Sequence, residues 1–504
     1  MAKEDKATTM ILKNATPRIP EIENMDISIH GIAYDSRSVQ KGDLFVAIKG
    51  EKTDGARYIQ DAVANGASAV ASEQTTGVGI AIPHIPVKDA RKFLAEISHA
   101  FYSSPCSELQ LVAVTGTKGK TTTAWLIDSI IARSGFASCL MGTIENRIRN
   151  EQFAAIHTTP EVSDIDRFFR YAAGRECTHG TLEVSSHALS LKRVYGSKFN
   201  VGVFTNLSHD HLDFHGNMEA YYQAKKALFT LENGNGIEAV VVNTDDSYGR
   251  RLADEIDIPV TTFGFHHSAD IHVKNWQSRL DGTHLTVNSP WGEIVFHSRL
   301  VGCTNVYNIM AATGSALRLG LTVEQARAGV DALVGVPGRM ERIGECLDFL
   351  VVVDYAHSPA SLENLLETVK RLPHRRLITV FGCGGDRDRA KRPIMGEIAS
   401  RLSDMTIVTS DNPRSEDPTE IIKEIQSGMK NGTSKYEIIP DRRAAIYDAI
   451  NMASKDDIVI VAGKGHETCQ IIGDDKLPFD DREVARNAIK NRTGAPAFAP
   501  QNGH

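Results

Sequence analysis

The sequence predicts an α/β protein of three domains, and three observations lead there. The chain has 504 residues, which at roughly 150 residues per domain suggests about three. Short apolar runs of strand length alternate with helical stretches, the rhythm of mostly parallel sheets covered by helices. Two breaks interrupt that rhythm, at Ser103, Ser104 and Pro105 and at Val336, Pro337 and Gly338. The expected domains are 1–106, 107–336 and 337–504, with 494–504, rich in Pro, Gly and Ala, as a frayed tail.

In the first domain, apolar runs at 44–48 and 69–71 flank a helical stretch at 58–65 that Gly66 closes, so it reads as a small α/β unit. The second opens with a buried strand at 109–114 running into a Gly-rich turn. Strand-like runs at 201–204 and 239–242 then alternate with helical segments, one of them at 221–228. The third domain carries four short apolar runs, 349–353, 377–381, 405–409 and 458–462, separated by helical stretches. That spacing predicts a Rossmann-like sheet.

Composition narrows the function classes. A net charge of −7 with 41% hydrophobic and 24% charged residues is ordinary globular composition. No basic excess points to nucleic acid or to an anionic membrane, and neither is expected as a partner. The first ten residues carry both charge signs and lead into no long apolar segment, and no apolar run approaches the roughly 20 residues that cross a bilayer. Seven cysteines, Cys106, Cys139, Cys177, Cys303, Cys346, Cys383 and Cys469, include no C-x-x-C pair. Free thiols in a reducing cytoplasm fit that pattern better than a disulfide frame or a zinc site.

The first chemical signal is Val114-Thr115-Gly116-Thr117-Lys118-Gly119-Lys120-Thr121-Thr122, which follows the strand and opens a helix. Successive N–H groups and the positive helix end can surround a triphosphate. Lys120 can reach its outer oxygens, and the Thr121 hydroxyl can ligate Mg²⁺. The common G-x-x-x-x-G-K-[ST] spacing would need glycine at 114, where this chain has Val114. The bland alternative is a Gly-rich turn bearing a solvated lysine, but the strand before and the helix after favour ATP or GTP.

The loop resembles that of the Mur ligase family, and further motifs agree along nearly the whole chain. They are Thr158-Thr159-Pro160, Glu183-Val184-Ser185-Ser186-His187, Asn206-Leu207-Ser208-His209-Asp210-His211-Leu212-Asp213, Lys225 and Asp354-Tyr355-Ala356-His357-Ser358-Pro359. Gly382-Cys383-Gly384-Gly385-Asp386-Arg387-Asp388, Asp411-Asn412-Pro413-Arg414 and Gly463-Lys464-Gly465-His466-Glu467 are similar to the members that add the third residue of the stem peptide. The resemblance implies an ATP-dependent, ADP-forming amide ligase of peptidoglycan synthesis. Its expected substrates are ATP, UDP-N-acetylmuramoyl-L-Ala-D-Glu and meso-diaminopimelate, and it is expected to act as a cytoplasmic monomer. The implied fold is a small UDP-binding α/β domain, a central P-loop-type ATPase domain with a mostly parallel sheet, and a Rossmann-like amino-acid-binding domain.

The same resemblance implies residue roles. Gly116 to Thr122, Asn305, Arg339, Asp354 and His357 would bind ATP, with the third domain closing over the second. Thr121 and Glu183 would hold one Mg²⁺ and His211 the site of a second. Read alone, Glu183 is a cap after a strand, His211 a structural histidine, and Lys225 with Lys226 a solvated basic face. In the family, the lysine matching Lys225 takes up CO₂ as a carbamate and so becomes an anionic metal ligand; only a neutral amine can react this way. Lys120, Glu183, His211 and Lys225 are thus the implied catalytic set. Tyr34, Ser36, Glu51, Lys52, Thr53, Thr158, Thr159, Ser185 and Arg193 would contact the UDP-sugar peptide, and Arg387, Asp411, Asn412, Pro413, Arg414, Gly463 and Glu467 the amino acid.

Arg414 is the specificity residue. A guanidinium can grip the distal carboxylate that diaminopimelate has and lysine lacks. A buried arginine left without its partner costs roughly 3–5 kcal/mol, about two to three decades of affinity. Three alternatives stand beside this reading: a lysine-adding ligase of the same family, folylpolyglutamate synthase, which shares the loop type, and a P-loop ATPase acting as a regulatory switch.

Overall fold

The computed structural model describes residues 9–15, 18–50, 53–74, 79–230, 234–279, 281–344, 347–429 and 435–493. The chain divides into two compact units, 1–274 with 286–294 and 307–332, and 275–285 with 295–306 and 333–504.

In the first unit a four-stranded parallel sheet runs Gly31–Ala33, Asp43–Val46, Ala69–Ser72, His84–Pro86. The helical stretch expected at 58–65 is Ile59–Ala64, entered through a 3₁₀ turn at Gly55–Tyr58 and stopped before Gly66 at φ +103°. Helix Ala90–Phe101 starts at Asp89, whose carboxylate accepts the Arg91 and Lys92 N–H groups, and packs Phe93, Leu94 and Ile97 onto the sheet.

The unit's second sheet carries, in order, Glu151–Ala154, Glu145–Ile148, Ser138–Met141, His179–Glu183, Gln110–Thr115, Lys198–Phe204, Gly236–Asn243 and Val260–Gly264. The six from Ser138–Met141 onward are parallel. Gln110–Thr115 therefore lies between two partners, and its carboxyl end opens where ligands bind in such sheets. Helix Lys120–Arg133 leaves from there and ends before Gly135 at φ +84°. It is apolar nearly all round because helix Val323–Ala332 covers its other side: a Cβ on Gly329 would come within 2.2 Å of Ile130 Cα. The helix expected at 221–228 runs Met218–Lys226 instead, because the Asn217 side chain caps it three residues earlier.

In the second unit the sheet order is Glu341–Arg342, Leu350–Asp354, Ile458–Ala462, Leu377–Phe381, Met405–Val408, Lys435–Ile438, parallel except for the first pair. Helices Pro359–Lys370, Lys391–Leu402 and Pro418–Gly428 pack on one face, and Arg442–Met452 and Asp481–Thr493 on the other. This is a doubly wound sheet with its switch point beside Ile458–Ala462. The four apolar runs are all strands, the first shifted by one residue to Leu350–Asp354. Lys435–Ile438, exposed along its whole length, was not among the expected apolar runs. Among the described residues no helix is long and apolar enough to cross a membrane, and the six cysteines among them are free; Cys346 lies outside them.

Candidate active site

The phosphate loop is held open by its own backbone and by the neighbouring strand. Gly116 (φ +146°) and Gly119 (φ +86°) adopt conformations that favour glycine, and a Cβ on Gly116 would sit 1.9 Å from Thr205 Oγ1. The Lys118 N–H donates to Asn206 Oδ1 at 3.0 Å and the Thr117 N–H to Asn206 O at 2.8 Å. Asn206 and Thr205 thus set the loop's shape; the motif containing Asn206 was legible in the sequence, its job was not. Lys120 Nζ folds back onto the Gly116 and Thr117 carbonyls at 2.8 and 3.0 Å.

Glu183 ends the adjacent strand, fully buried. Its carboxylate accepts from Thr121 Oγ1 and from the Thr143 N–H and hydroxyl, each at 2.9 Å. Glycine is needed at 142, where a Cβ would come within 2.2 Å of Glu183 Oε1. Thr143 Oγ1 lies 3.1 Å from Thr158 Oγ1, and Thr159 Oγ1 donates to the Glu183 carbonyl at 2.8 Å while accepting the Ser185 N–H at 3.0 Å. Thr121, Glu183, Thr158, Thr159 and Ser185 therefore form one hydrogen-bonded group. Thr143, which joins its halves, carries no motif and was missed.

Lys225 is buried, not part of a solvated face. Its Nζ donates to the Gly116 carbonyl at 2.8 Å and lies 4.9 Å above the Tyr221 ring. Burial, and then the charge of Lys120, hold its ammonium well below the ordinary lysine range. Lys226, its neighbour, faces out and pairs with Glu255 at 2.8 Å. His211 starts a short helix at φ +52°, and burial, with Lys120 and Lys225 adding to it, lowers its imidazole. Thr121 and Glu183 offer two oxygen donors beside the phosphate loop, a set suited to Mg²⁺. Among the described residues no three His, Cys, Asp or Glu side chains form a closed metal cage; a cation held there would complete its shell with phosphate oxygens and water.

Among the candidates for the UDP-sugar peptide, Ser36 is buried, with Asn65 Nδ2 donating to its carbonyl at 2.8 Å. Tyr34 donates to Asp164 at 2.6 Å, and burial beside that carboxylate pushes its phenol up. Thr53 Oγ1 lies 3.3 Å from Tyr58 Oη; Glu51 and Lys52 lie outside the described residues. Arg193 donates to Glu161 at 2.9 Å and to the Thr159 carbonyl at 3.1 Å. Arg91 binds the same Glu161 at 3.0 Å, with the Leu191 and Lys49 carbonyls at 3.1 Å each. One guanidinium thus ties three segments that carry candidate binding residues. Arg91 and Glu161 stand 70 positions apart, so no local pattern could reveal them.

In the second unit, Asn305 Nδ2 donates to the Val301 carbonyl at 2.8 Å. The Arg339 guanidinium lies 4.9 Å over the Tyr355 ring, and its buried Nε has no acceptor among the described residues. Asp354 accepts the Met340 and Ala356 N–H groups at 2.7 and 2.8 Å, while burial pushes its carboxyl up. His357 Nδ1 is 2.8 Å from the Tyr355 carbonyl, and burial lowers its imidazole.

The amino-acid candidates gather at the carboxyl ends of the second unit's strands. Arg414 sits at φ +52° and donates to the Gly385 carbonyl at 2.8 Å. Arg387 donates to Asp386 O at 3.1 Å, and a Cβ on Gly384 would lie 2.9 Å from Arg414 Nη1 and 3.9 Å from Arg387 Cγ, so both arginines flank that glycine. Asn412 Nδ2 donates to Glu467 Oε2 at 2.9 Å. Pro413 is buried. Gly463 (φ +122°) leaves room for Asp411, whose Oδ2 would be 2.6 Å from a Cβ there. Beneath them Arg442, fully buried, pairs through two bonds with Asp481 at 2.8 and 2.7 Å and donates to the Ala462 carbonyl at 3.0 Å. Two cations and two carboxylates thus meet on one edge, a surface that suits an amino acid with charges of both signs.

Family models match three consecutive segments: "Mur ligase family, catalytic domain" over 28–102, "Mur ligase middle domain" over 114–316, and "Mur ligase, glutamate ligase domain" over 338–465. The chain belongs to the Mur ligase family. A UDP-N-acetylmuramoyl-L-alanyl-D-glutamate--2,6-diaminopimelate ligase of Solibacter usitatus is 44% identical over 95% of this chain and 97% of its own. The enzyme of that name from Gloeobacter violaceus is 45% identical over 93% and 95%. A solved structure of a ligase so named superposes with a TM-score of 0.68 at 35% identity, covering 92% of this chain and 95% of that one. The three-domain α/β fold class expected from the sequence is that of the family.

Proposed function

We infer that the protein is an ATP-dependent, ADP-forming amide ligase that joins diaminopimelate to UDP-N-acetylmuramoyl-L-alanyl-D-glutamate in peptidoglycan precursor synthesis. A carboxylate is a poor electrophile, so its oxygen first attacks the γ-phosphorus of ATP and ADP leaves. The amine then attacks the resulting acyl phosphate, inorganic phosphate departs, and the nitrogen loses a proton. The work is alignment and charge neutralisation among crowded anionic oxygens. The loop amides and Lys120 hold the triphosphate. Mg²⁺, held by Thr121 and Glu183, with His211 and a carbamate on Lys225 serving a second ion, would neutralise the oxygens being brought together. Burial weakens the hold of the Lys225 amine on its proton, and the neutral amine is the form that can take up CO₂.

Tyr34, Ser36, Glu51, Lys52, Thr53, Thr158, Thr159, Ser185 and Arg193 serve the UDP-sugar peptide; Asn305, Arg339, Asp354 and His357 serve the nucleotide. Arg414 and Arg387 take the distal carboxylate of meso-diaminopimelate and Glu467 an ammonium. The observation that carries the reading is the Thr121 hydroxyl of the phosphate loop hydrogen-bonded to fully buried Glu183. The test is to incubate the protein with Mg-ATP, the UDP-sugar dipeptide and either meso-diaminopimelate or L-lysine, then weigh the nucleotide product. Phosphate released in step with a diaminopimelate adduct is expected. A lysine adduct would move the chain to the lysine-adding branch, and phosphate released without either acceptor would fit the switch reading.

A further inference from the structure

Lys464 lies inside the motif that supplies Gly463 and Glu467, yet nothing above gives it work. Its side chain is fully buried, and its ammonium has three acceptors: Asn412 Oδ1 at 3.0 Å, Glu467 Oε2 at 3.1 Å and the Cys469 carbonyl at 2.6 Å. A cation is stable in such a place only when its donors are fully engaged. Two of the acceptors belong to residues assigned to the amino acid. The third begins a hairpin, Cys469–Ile472 with Asp475–Pro478, and that hairpin grips the loop bearing Arg414. Gln470 Nε2 donates to Asp411 O at 2.6 Å, the Ile471 N–H to Asn412 Oδ1 at 3.0 Å, the Arg414 N–H to Ile471 O at 3.1 Å, and the Gly473 N–H to Arg414 O at 2.8 Å. Glu467 Oε2 accepts from both Lys464 and Asn412, whereas Oε1 accepts no hydrogen bond among the described residues.

We propose that Lys464 is a positioning residue for a diamino dicarboxylic acid substrate: it fixes the Glu467 carboxylate through one oxygen, leaves the other for a substrate ammonium, and ties that carboxylate to the Arg414 loop. The proposal rests on the functional reading above. Its charge is satisfied within the protein, so it touches no reacting atom and acts through Glu467 and Asn412.

The test uses the full chain and steady-state kinetics with each substrate varied in turn. Lys464→Met should raise the KM for diaminopimelate about ten- to a hundredfold, the cost of charge-assisted bonds, with the KM values for ATP and the UDP-sugar dipeptide within about twofold. Lys464→Gln, which keeps an N–H donor, should lie between Met and wild type. Because Lys464 works through Glu467, the double variant Lys464→Met/Glu467→Gln should be no worse than the poorer single variant. If the Met variant shows no cooperative melting, Lys464→Gln alone and combined with Glu467→Gln carries the same comparison. Unchanged KM for diaminopimelate, additive effects in the double variant, or all three KM values rising together would overturn the proposal. Wild-type protein that fails to join diaminopimelate would instead overturn the functional reading.

Discussion

Each unit buries a lysine among its candidate site residues, Lys225 in the first and Lys464 in the second, and the two are treated in opposite ways. Lys464 has a carboxylate, an amide oxygen and a carbonyl around its ammonium. Lys225 has one carbonyl, an aromatic face, and another cation, Lys120, close enough to oppose its charge. Burial penalises the charge of Lys225, and the nearby Lys120 adds to that penalty, whereas the ammonium of Lys464 is enclosed by acceptors. Lys464 is committed to holding structure. Lys225 has its ammonium disfavoured, which favours the state a group needs if it is to be modified and then serve as an anion.

The largest expected effect breaks the comparison on the Lys225 side. Lys225→Met should lower kcat by about two to three decades, the usual loss when an electrostatic element of a site is removed, here the anchor of a charge-neutralising ion, without a comparable change in the KM for diaminopimelate. Degassed, CO₂-free buffer should slow the wild type and added bicarbonate restore it, while the variant ignores both. A wild type indifferent to bicarbonate would put Lys225 in the same class as Lys464. Next in size is Arg414→Ala, which should raise the KM for diaminopimelate by about two decades and leave that for ATP nearly unchanged. An unaltered diaminopimelate KM would remove the charge-matching account of the amino-acid edge.

These two lysines also mark what a sequence can disclose. The phosphate loop is legible because strand, glycine turn and helix are contiguous, an order that holds although Val114 stands where the common spacing has glycine. The Asp411 to Arg414 run is likewise contiguous. Lys225 and Lys226 are indistinguishable by pattern, and their fates part only because the acceptor of the first, Gly116, lies 109 positions away. Charge networks are the least legible of all. Glu161 is shared by Arg91 and Arg193 across 70 and 32 positions, and the Lys464 network closes over Asn412, 52 positions before it. The exposed strand Lys435–Ile438 escaped for a different reason: it is only four residues long, and Tyr436 and Ile438 on its one apolar face stay exposed at the sheet edge.

Arg91, in the first unit like Lys225, falls on the Lys464 side of the comparison, since its guanidinium is spent on holding candidate binding segments together. Arg91→Ala should raise the KM for the UDP-sugar dipeptide about tenfold, with Arg91→Lys no better because one ammonium cannot span Glu161, Leu191 and Lys49 together. Equal rises for all three substrates would mean that Arg91 supports the fold at large.

The smallest effect concerns stability. For Lys225 burial depresses the folded-state pKa well below the ordinary lysine range, so between the two the unfolded chain binds one more proton than the folded one. Stability must then rise with pH across that window and fall as pH drops toward the folded pKa. Melting temperatures of the wild type measured from about pH 7 upward should therefore gain on those of Lys225→Met, which lacks the titrating amine. The gain should vanish in bicarbonate-rich buffer if the folded chain already holds the carbamate, because the group that titrates is then no longer an amine. Parallel curves in CO₂-free buffer would show that Lys225 keeps its proton on folding, and the contrast between the two buried lysines would be lost with it.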